Sequence, residues 1–234
     1  NARKIINNND TIIVDGDNGI AIINPNKHIL KEYEYKKNQW IIEKKKLKKI
    51  KNIPSKTLDK KEISLMANIE DLSDVKSVLD CKASGIGLFR TEFLFMNRKE
   101  LPGEQEQYET YKSIAKSMKG RTVVIRTLDS GADKTTAADK SQATNPALGL
   151  RAIRLCLSQP HLFITQLRAI LKASAFGKIR ILIPMLSSLE ELKQVKLLIK
   201  RAKESLVVEN IKFDNEILIG GMIEIPAVAI NAEA

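Results

Sequence analysis

The chain has 234 residues, of which 43% are hydrophobic, with a formal net charge of +11; that is enough for one large domain or for one domain and a smaller piece. No apolar run approaches the ~20 residues of a membrane span, and residues 1–7 lack the layout of a secretory signal, so membrane insertion is not expected and a cytoplasmic location is. The charge is concentrated in residues 27–62, which hold thirteen lysines, five acids and no arginine; without the arginine and aromatic interleaving that contacts bases, no nucleic-acid partner is expected.

Residues 1–26 read as a small β piece. Asp10–Asp15 is a strand, Gly16-Asp-Asn-Gly19 a turn tolerant of positive φ, and Ile20–Ile23 the returning strand. From Lys27 to about Lys51 the pattern is helical, with a thin apolar seam at Ile29, Tyr33, Trp40, Leu47 and Ile50. Such a seam suits a connector, and residues 27–62 are read as a helical linker that ends near Pro54.

A strand–helix rhythm then fills residues 63–234. Ile63–Ile69 is a strand, followed by a helix from near Asp71 to Lys82 with Asp71 and Ser73 as caps. Gly85–Arg90 is the second strand, and a helix with an early proline and early acids runs from about Pro102 to Met118. Thr122–Thr127 is the third strand. A polar stretch over 130–144 leads to helices near Pro146–Leu157 and Pro160–Ala175, the latter closed by Gly177 as C-cap. Ile179–Met185 is the fourth strand. Ser188-Leu-Glu-Glu191 is a capping box for the next helix, and Ile217–Ile223 is the fifth strand, ending in Glu224-Ile-Pro226.

Alternation with near-continuous apolar strands predicts a parallel α/β sheet covered on both faces. Doubly wound and (β/α)8 barrel arrangements both satisfy it. Chemically interesting residues at nearly every strand end favour the barrel. Gly85-Ile-Gly87 carries little weight as a cofactor motif, since it lacks the third glycine of a dinucleotide fingerprint and sits at a strand's start. Five strand–helix units are visible where eight close a barrel, so the expectation is an incomplete TIM-type barrel, a fragment.

The strand ends collect Arg90 with Glu92, Arg126 with Asp129, Ser187, and Glu224. Two arginines in equivalent places suit phosphate and carboxylate groups, because the planar guanidinium matches paired oxygens. Glu224 suits Mg2+, which takes hard oxygen ligands and keeps positions open for substrate. Cys81 and Cys156 are far apart and indicate a reducing compartment without a disulfide framework. Cys156 is expected in the core, His28 in a solvated turn and His161 in a helix's first turn.

Five stretches, in order, resemble Enzyme I of the phosphoenolpyruvate:sugar phosphotransferase system. They are Gly85-Ile-Gly-Leu-Phe-Arg-Thr-Glu-Phe-Leu-Phe-Met96, Val124-Ile-Arg-Thr-Leu-Asp129, Asn145-Pro-Ala-Leu-Gly-Leu-Arg-Ala-Ile-Arg154, Gln166-Leu-Arg-Ala-Ile-Leu-Lys-Ala-Ser174 and Met222-Ile-Glu-Ile-Pro-Ala227. The spacing matches over about residues 64–230, and residues 10–50 are similar to the end of that family's phosphohistidine domain and its linker. The resemblance implies a barrel that holds phosphoenolpyruvate and Mg2+. It implies transfer of the phosphoryl group to a histidine of the same protein, then to a histidine-containing phosphocarrier protein, in support of sugar uptake. It also implies a homodimer formed through the barrel. Arg90, Arg126 and, less directly, Arg151 would bind substrate, and Glu224 would be a Mg2+ ligand.

In that family the acceptor histidine lies in a motif upstream of residue 1, and the general-acid cysteine, a second metal carboxylate and another substrate arginine lie downstream of residue 234. No catalytic residue is therefore expected within these 234 residues, and the chain as given is not expected to complete the transfer. Asp129-Ser-Gly-Ala-Asp-Lys134 departs from the usual Asp-Ile-Gly-Gly-Asp-Lys, the residues up to Asn145 lack the usual proline and aromatics, and Leu150 stands where an aromatic is usual; an altered lid is expected. A pyruvate phosphate dikinase or phosphoenolpyruvate synthase would share the arginines and the glutamate. A non-catalytic binding or regulatory remnant is the reading from another class.

Overall fold

The computed structural model describes residues 5–96, 98, 100–130 and 149–233. It divides into two compact units, Asn1–Pro54 and Ser55–Ala234.

In the first unit β1 (Ile12–Asp15) pairs antiparallel with β2 (Ile20–Ile23). The turn is fixed by Asp15, whose carboxylate accepts from the Asn18 N–H (3.0 Å) and side-chain amide (2.9 Å), and by Gly19 at φ 65°, where only glycine is free of Cβ strain. Helix α1 (Lys27–Ile50) starts where Asn26 accepts from the Ile29 N–H at 2.9 Å. Its apolar seam is shorter than the sequence suggests. Ile29, Tyr33 and Ile41 are half-buried, whereas Trp40, Leu47 and Ile50 are more than half exposed.

The second unit is built on a five-stranded parallel sheet of β3 (Ala67–Ile69), β4 (Gly85–Arg90), β5 (Thr122–Arg126), β6 (Ile179–Ile183) and β7 (Leu218–Gly221). The order is β3-β4-β5-β6-β7, each strand beside its sequence neighbour. A doubly wound sheet reverses its order at a switch point; this one never does. The helices α2 (Asp74–Asp80), α3 (Glu104–Ser117), α4 (Ala152–Ser158), α5 (Pro160–Ser174) and α6 (Leu189–Val208) share one hydrophobic cluster with Ile86, Phe89, Val123, Ile125, Ile179, Ile181 and Ile183. A short helix α7 (Pro226–Ile230) follows β7.

That single cluster corrects the expectation of a sheet covered on both faces. Along β5, Val123 and Ile125 are fully buried while Val124 and Arg126 are only partly so; along β6, Arg180 is exposed between buried Ile179 and Ile181. Strand side chains alternate faces, so one face packs under the helices and the other stays partly open. The two outer strands are the least covered, and all four residues of β7 are exposed.

Strand β4 contains one extra residue. Ile86 pairs with Val123 and Phe89 with Ile125, so three steps on β4 match two on β5. The bulge lets Ile86 and Phe89 both reach the core, and it turns Arg90 to the open face, opposite Arg126 in the register. The glycines of this strand are there for close approach. A Cβ at Gly85 would sit 2.6 Å from the Thr122 carbonyl oxygen, and one at Gly87 would sit 3.0 Å from the Met66 Cβ.

Several local expectations are corrected. The first core strand is only Ala67–Ile69, because Ile63–Met66 lies outside the ladder. Helix α3 begins after Pro102, with Gly103 as its extended N-cap. Gly177 is not a left-handed cap; α5 ends through Ala175, and Gly177 is needed because a Cβ there would meet the Ala115 carbonyl oxygen at 3.0 Å. At the start of α6, Ser188 accepts from the Glu191 N–H at 3.2 Å as the capping box requires, but the Glu191 carboxylate reaches the N–H and hydroxyl of Ser187 (2.6 and 2.8 Å) instead of closing on Ser188. The helix expected near Pro146 is seen as α4 from Ala152; residues 131–148, including the departures at 131–145, lie outside the described residues.

Candidate functional site

The carboxyl ends of β4 and β5 place two chain segments side by side. After Arg90 the chain makes a 3-10 turn, Thr91–Leu94, which swings Glu92 toward β5. After Arg126 it leaves the ladder, and its main-chain groups need new partners. The Thr91 hydroxyl donates to the Arg126 carbonyl (2.8 Å), the Thr127 N–H donates to the Leu182 carbonyl (2.9 Å), and the Asp129 N–H donates to the Glu92 carboxylate (3.1 Å).

Four charged side chains meet on this frame. Arg126 donates to Glu92 at 2.8 Å and pairs with Asp129 at 3.1 Å, and Arg151 pairs with the other Asp129 oxygen at 3.0 Å. Arg126, Glu92 and Asp129 keep only 13%, 13% and 11% of their side-chain surface exposed. In so dry a place, removing one partner of an ion pair costs ~3–5 kcal/mol because the other is stranded. Even so, the cluster is not closed on itself: Nε of Arg126, Nε of Arg151 and Oε2 of Glu92 are buried without a hydrogen-bond partner among the described residues. Such groups are costly unless something supplies the partner.

Arg151 is the N-cap residue of α4, and the following Ala152 is fully buried with φ 49°. A left-handed alanine is uncommon; it lets the Ala152 N–H donate to the Ser130 carbonyl at 3.0 Å while Arg151 faces Asp129.

Arg90 stands opposite Arg126 in the register but pairs elsewhere, donating to Glu70 at 2.8 Å with both side chains more than 40% exposed. A cavity of ≈ 310 Å³ lined by Asn68, Glu70, Asp74, Cys81 and Arg90 opens beside this pair. Glu224 follows β7 and is exposed; its Oε1 accepts from the Met185 N–H at 2.7 Å, where Met185 holds φ 57° just past β6. The structure thus joins Arg126 and Arg151 through Asp129, sets Arg90 beside them in the sheet, and ties Glu224 to the exit of β6.

Two of the residues that matter here carry no assigned role in the sequence reading. Glu92 is the carboxylate that orients Arg126. Gln166, on α5, sits among Leu162, Phe163, Leu167 and Ile170 and is 1% exposed; its signals were a glutamine in an apolar helical stripe and its place at the head of one of the family-like stretches. The other groups are quiet. Cys156 is buried, and burial pushes its thiol up to about 12, which keeps it an inert core residue. His28 lies exposed in the first turn of α1, in a helix where a turn was expected, and His161 is exposed in the first turn of α5.

A parallel α/β sheet that brings arginines to the carboxyl ends of its strands is the frame of an anion-binding α/β domain. A family model described as "PEP-utilising enzyme, PEP-binding domain" matches residues 44–234, and the chain belongs to that family. It is similar to the phosphoenolpyruvate-protein phosphotransferase of Cupriavidus necator, 48% identical over 98% of this chain and 40% of that protein. The proteins of the same name from Mycoplasma capricolum (45%, covering all of this chain and 41% of that one) and Bacillus subtilis (43%, covering 99% and 41%) are similar too. The chain spans about two fifths of the length of these relatives.

Proposed function

We propose that this chain is the phosphoenolpyruvate-binding part of a phosphoenolpyruvate–protein phosphotransferase, with Arg90, Arg126 and Arg151 as the substrate-binding arginines. The observation that carries this is the Arg126–Asp129–Arg151 junction, with buried guanidinium nitrogens that lack partners among the described residues. Phosphoenolpyruvate brings a phosphate and a carboxylate, each with paired oxygens that match a guanidinium. The relatives' names support a phosphotransferase over a dikinase or synthase. Residues 1–26 are then the tail of a phosphohistidine domain, 27–62 the linker and 63–234 part of a (β/α)8 barrel, a reading supported by the sequential strand order and the helices on one face.

Glu224 is proposed as a Mg2+ ligand. Among the described residues no three His, Cys, Asp or Glu side chains gather into a protein cage for a metal. A lone carboxylate nevertheless fits Mg2+, which keeps waters and completes its shell with substrate oxygens, and the Met185 N–H orients this one. When bound, Mg2+ would neutralise charge on the phosphoryl oxygens. The chain's own contribution is to hold and orient: a loose phosphoryl-transfer transition state is served by positioning and by cations on its oxygens. The proposed destinations of the phosphoryl group are a histidine of the same protein and then a histidine-containing carrier, with a homodimer as the working state. No described helix is long and apolar enough to cross a membrane.

Calorimetric titration of the chain with phosphoenolpyruvate, with and without Mg2+, tests the reading. Binding that tightens with Mg2+ is expected. Glu224→Gln should abolish most of that tightening while leaving metal-free affinity within about twofold. Absence of binding by the folded chain would refute the proposal.

A further inference from the structure

We propose that Gln166 is a positioning residue for Arg126, acting through the main chain that leaves it, at the Arg126 carbonyl and the Leu128 N–H; this rests on the reading of these strand ends as a phosphoenolpyruvate site. Gln166 projects from α5 into the gap left where β5 leaves the ladder. Its Oε1 accepts from the Leu128 N–H at 2.9 Å, and its Nε2 donates to the Thr91 hydroxyl and the Tyr111 hydroxyl, each at 3.2 Å. A main-chain N–H can only donate, so Leu128 fixes which end of the amide is oxygen.

From there the direction of every bond is set. Thr91, having accepted from Gln166, donates its own proton to the Arg126 carbonyl at 2.8 Å. Tyr111 likewise donates to Gln107 at 3.0 Å, and Gln107 donates to the Pro102 carbonyl at 2.9 Å. Thr91, Gln107, Tyr111 and Gln166 are all at most 1% exposed, so water cannot stand in for a lost member.

One carboxamide therefore holds Leu128 directly and the Arg126 carbonyl through Thr91. Arg126 is the root of the guanidinium, and Leu128 precedes the Asp129 that joins Arg126 to Arg151. A site whose side chains must hold productive geometry to ~0.5 Å needs such support behind it. Leucine at 166 would fill the space but hold neither group, freeing the segment to shift without emptying the core.

The test uses the full chain, 15N-labelled, as wild type, Gln166→Leu and Thr91→Val, read by amide exchange and by phosphoenolpyruvate titration with Mg2+. Gln166→Leu should speed exchange at Leu128 and at Asp129, an amide it does not touch, by about tenfold relative to Ile181 in β6, and weaken phosphoenolpyruvate binding by about tenfold. Thr91→Val, nearly equal in volume, should weaken binding severalfold. Faster exchange with unchanged binding, or equal acceleration at Ile181, would reduce Gln166 to a core-stabilising residue and overturn the proposal. Should the wild type not bind phosphoenolpyruvate, the functional reading fails separately, and exchange at Asp129 decides the positioning role: no change there overturns it. Should Gln166→Leu fail to fold, Thr91→Val decides alone, and unchanged binding and exchange overturn it.

Discussion

The molecule contains two ion networks made from the same ingredients, and they are finished differently. On the outer layer, Arg168 of α5 donates through Nε to Glu104 of α3 (2.6 Å) and through Nη2 to Glu209 (2.8 Å), while Nη1 donates to the Ser205 hydroxyl of α6. Lys172 adds a second cation to Glu104 at 3.0 Å. At the strand ends, Arg126 and Arg151 share Asp129, with Glu92 as the second acid. The outer network uses all three nitrogens of its arginine. The strand-end network leaves both arginine Nε atoms and a glutamate oxygen without partners among the described residues. A network that ties helices together is complete without a ligand; one that serves a ligand keeps capacity in reserve.

The electrostatics of the outer network agree with a structural role. Burial raises the Glu104 carboxyl, but hydrogen bonds from Arg168 and Lys172 outweigh it and leave the group below its ordinary value. The Arg168 hydrogen bond also lowers Glu209.

Substitutions can break this contrast or sharpen it. The largest effect is expected from Arg168→Met, which leaves Glu104 with Lys172 alone and removes the ties to Glu209 and Ser205; it should cost ~2 kcal/mol in urea unfolding, with phosphoenolpyruvate affinity unchanged in the folded protein. Unchanged stability would mean that the outer network does not hold the helices together. Next, Arg126→Lys keeps the charge but loses the paired donors. It should weaken phosphoenolpyruvate binding at least tenfold, ~1.4 kcal/mol, while the unfolding midpoint stays close to wild type; equal affinity would remove Arg126 from the site. The smallest effect is expected from Glu104→Gln, about 1 kcal/mol at pH 7. Because the folded carboxyl titrates below its unfolded value, its contribution is complete above about pH 4.5 and is lost as pH falls through the folded value. Wild type and variant should therefore converge in stability as pH falls below the folded value, and a gap that stays constant with pH would place the effect elsewhere.

The sequence made the strand–helix succession legible because apolar runs and helical stripes are local signals. Arg90 and Arg126 were visible as strand-end arginines for the same reason. What escaped depends on partners far along the chain. Gly177 looked like a helix cap until the Ala115 carbonyl was seen against it. The strand over 63–69 shrank to three residues because pairing, not propensity, ends a strand. Glu92 was visible as an acid two residues past an arginine, but its reach to Arg126 and to the Asp129 N–H depends on the 3-10 turn that follows β4. Gln166 serves residues 38 and 75 positions away, a relation that no window of sequence contains.

The added residue in β4 shows that strand length can matter as much as strand composition. Side chains on a strand are sorted by odd and even position, so one insertion changes the parity of everything after it. Pair the same amino acids without the bulge and Phe89 would turn to the open face while the Arg90 guanidinium went into the helix-covered interior. For a protein engineer the bulge is a phase marker. Residues may be exchanged around it, but one residue inserted between Phe89 and Arg90 would cost the open face one of its cations while changing almost nothing in the composition.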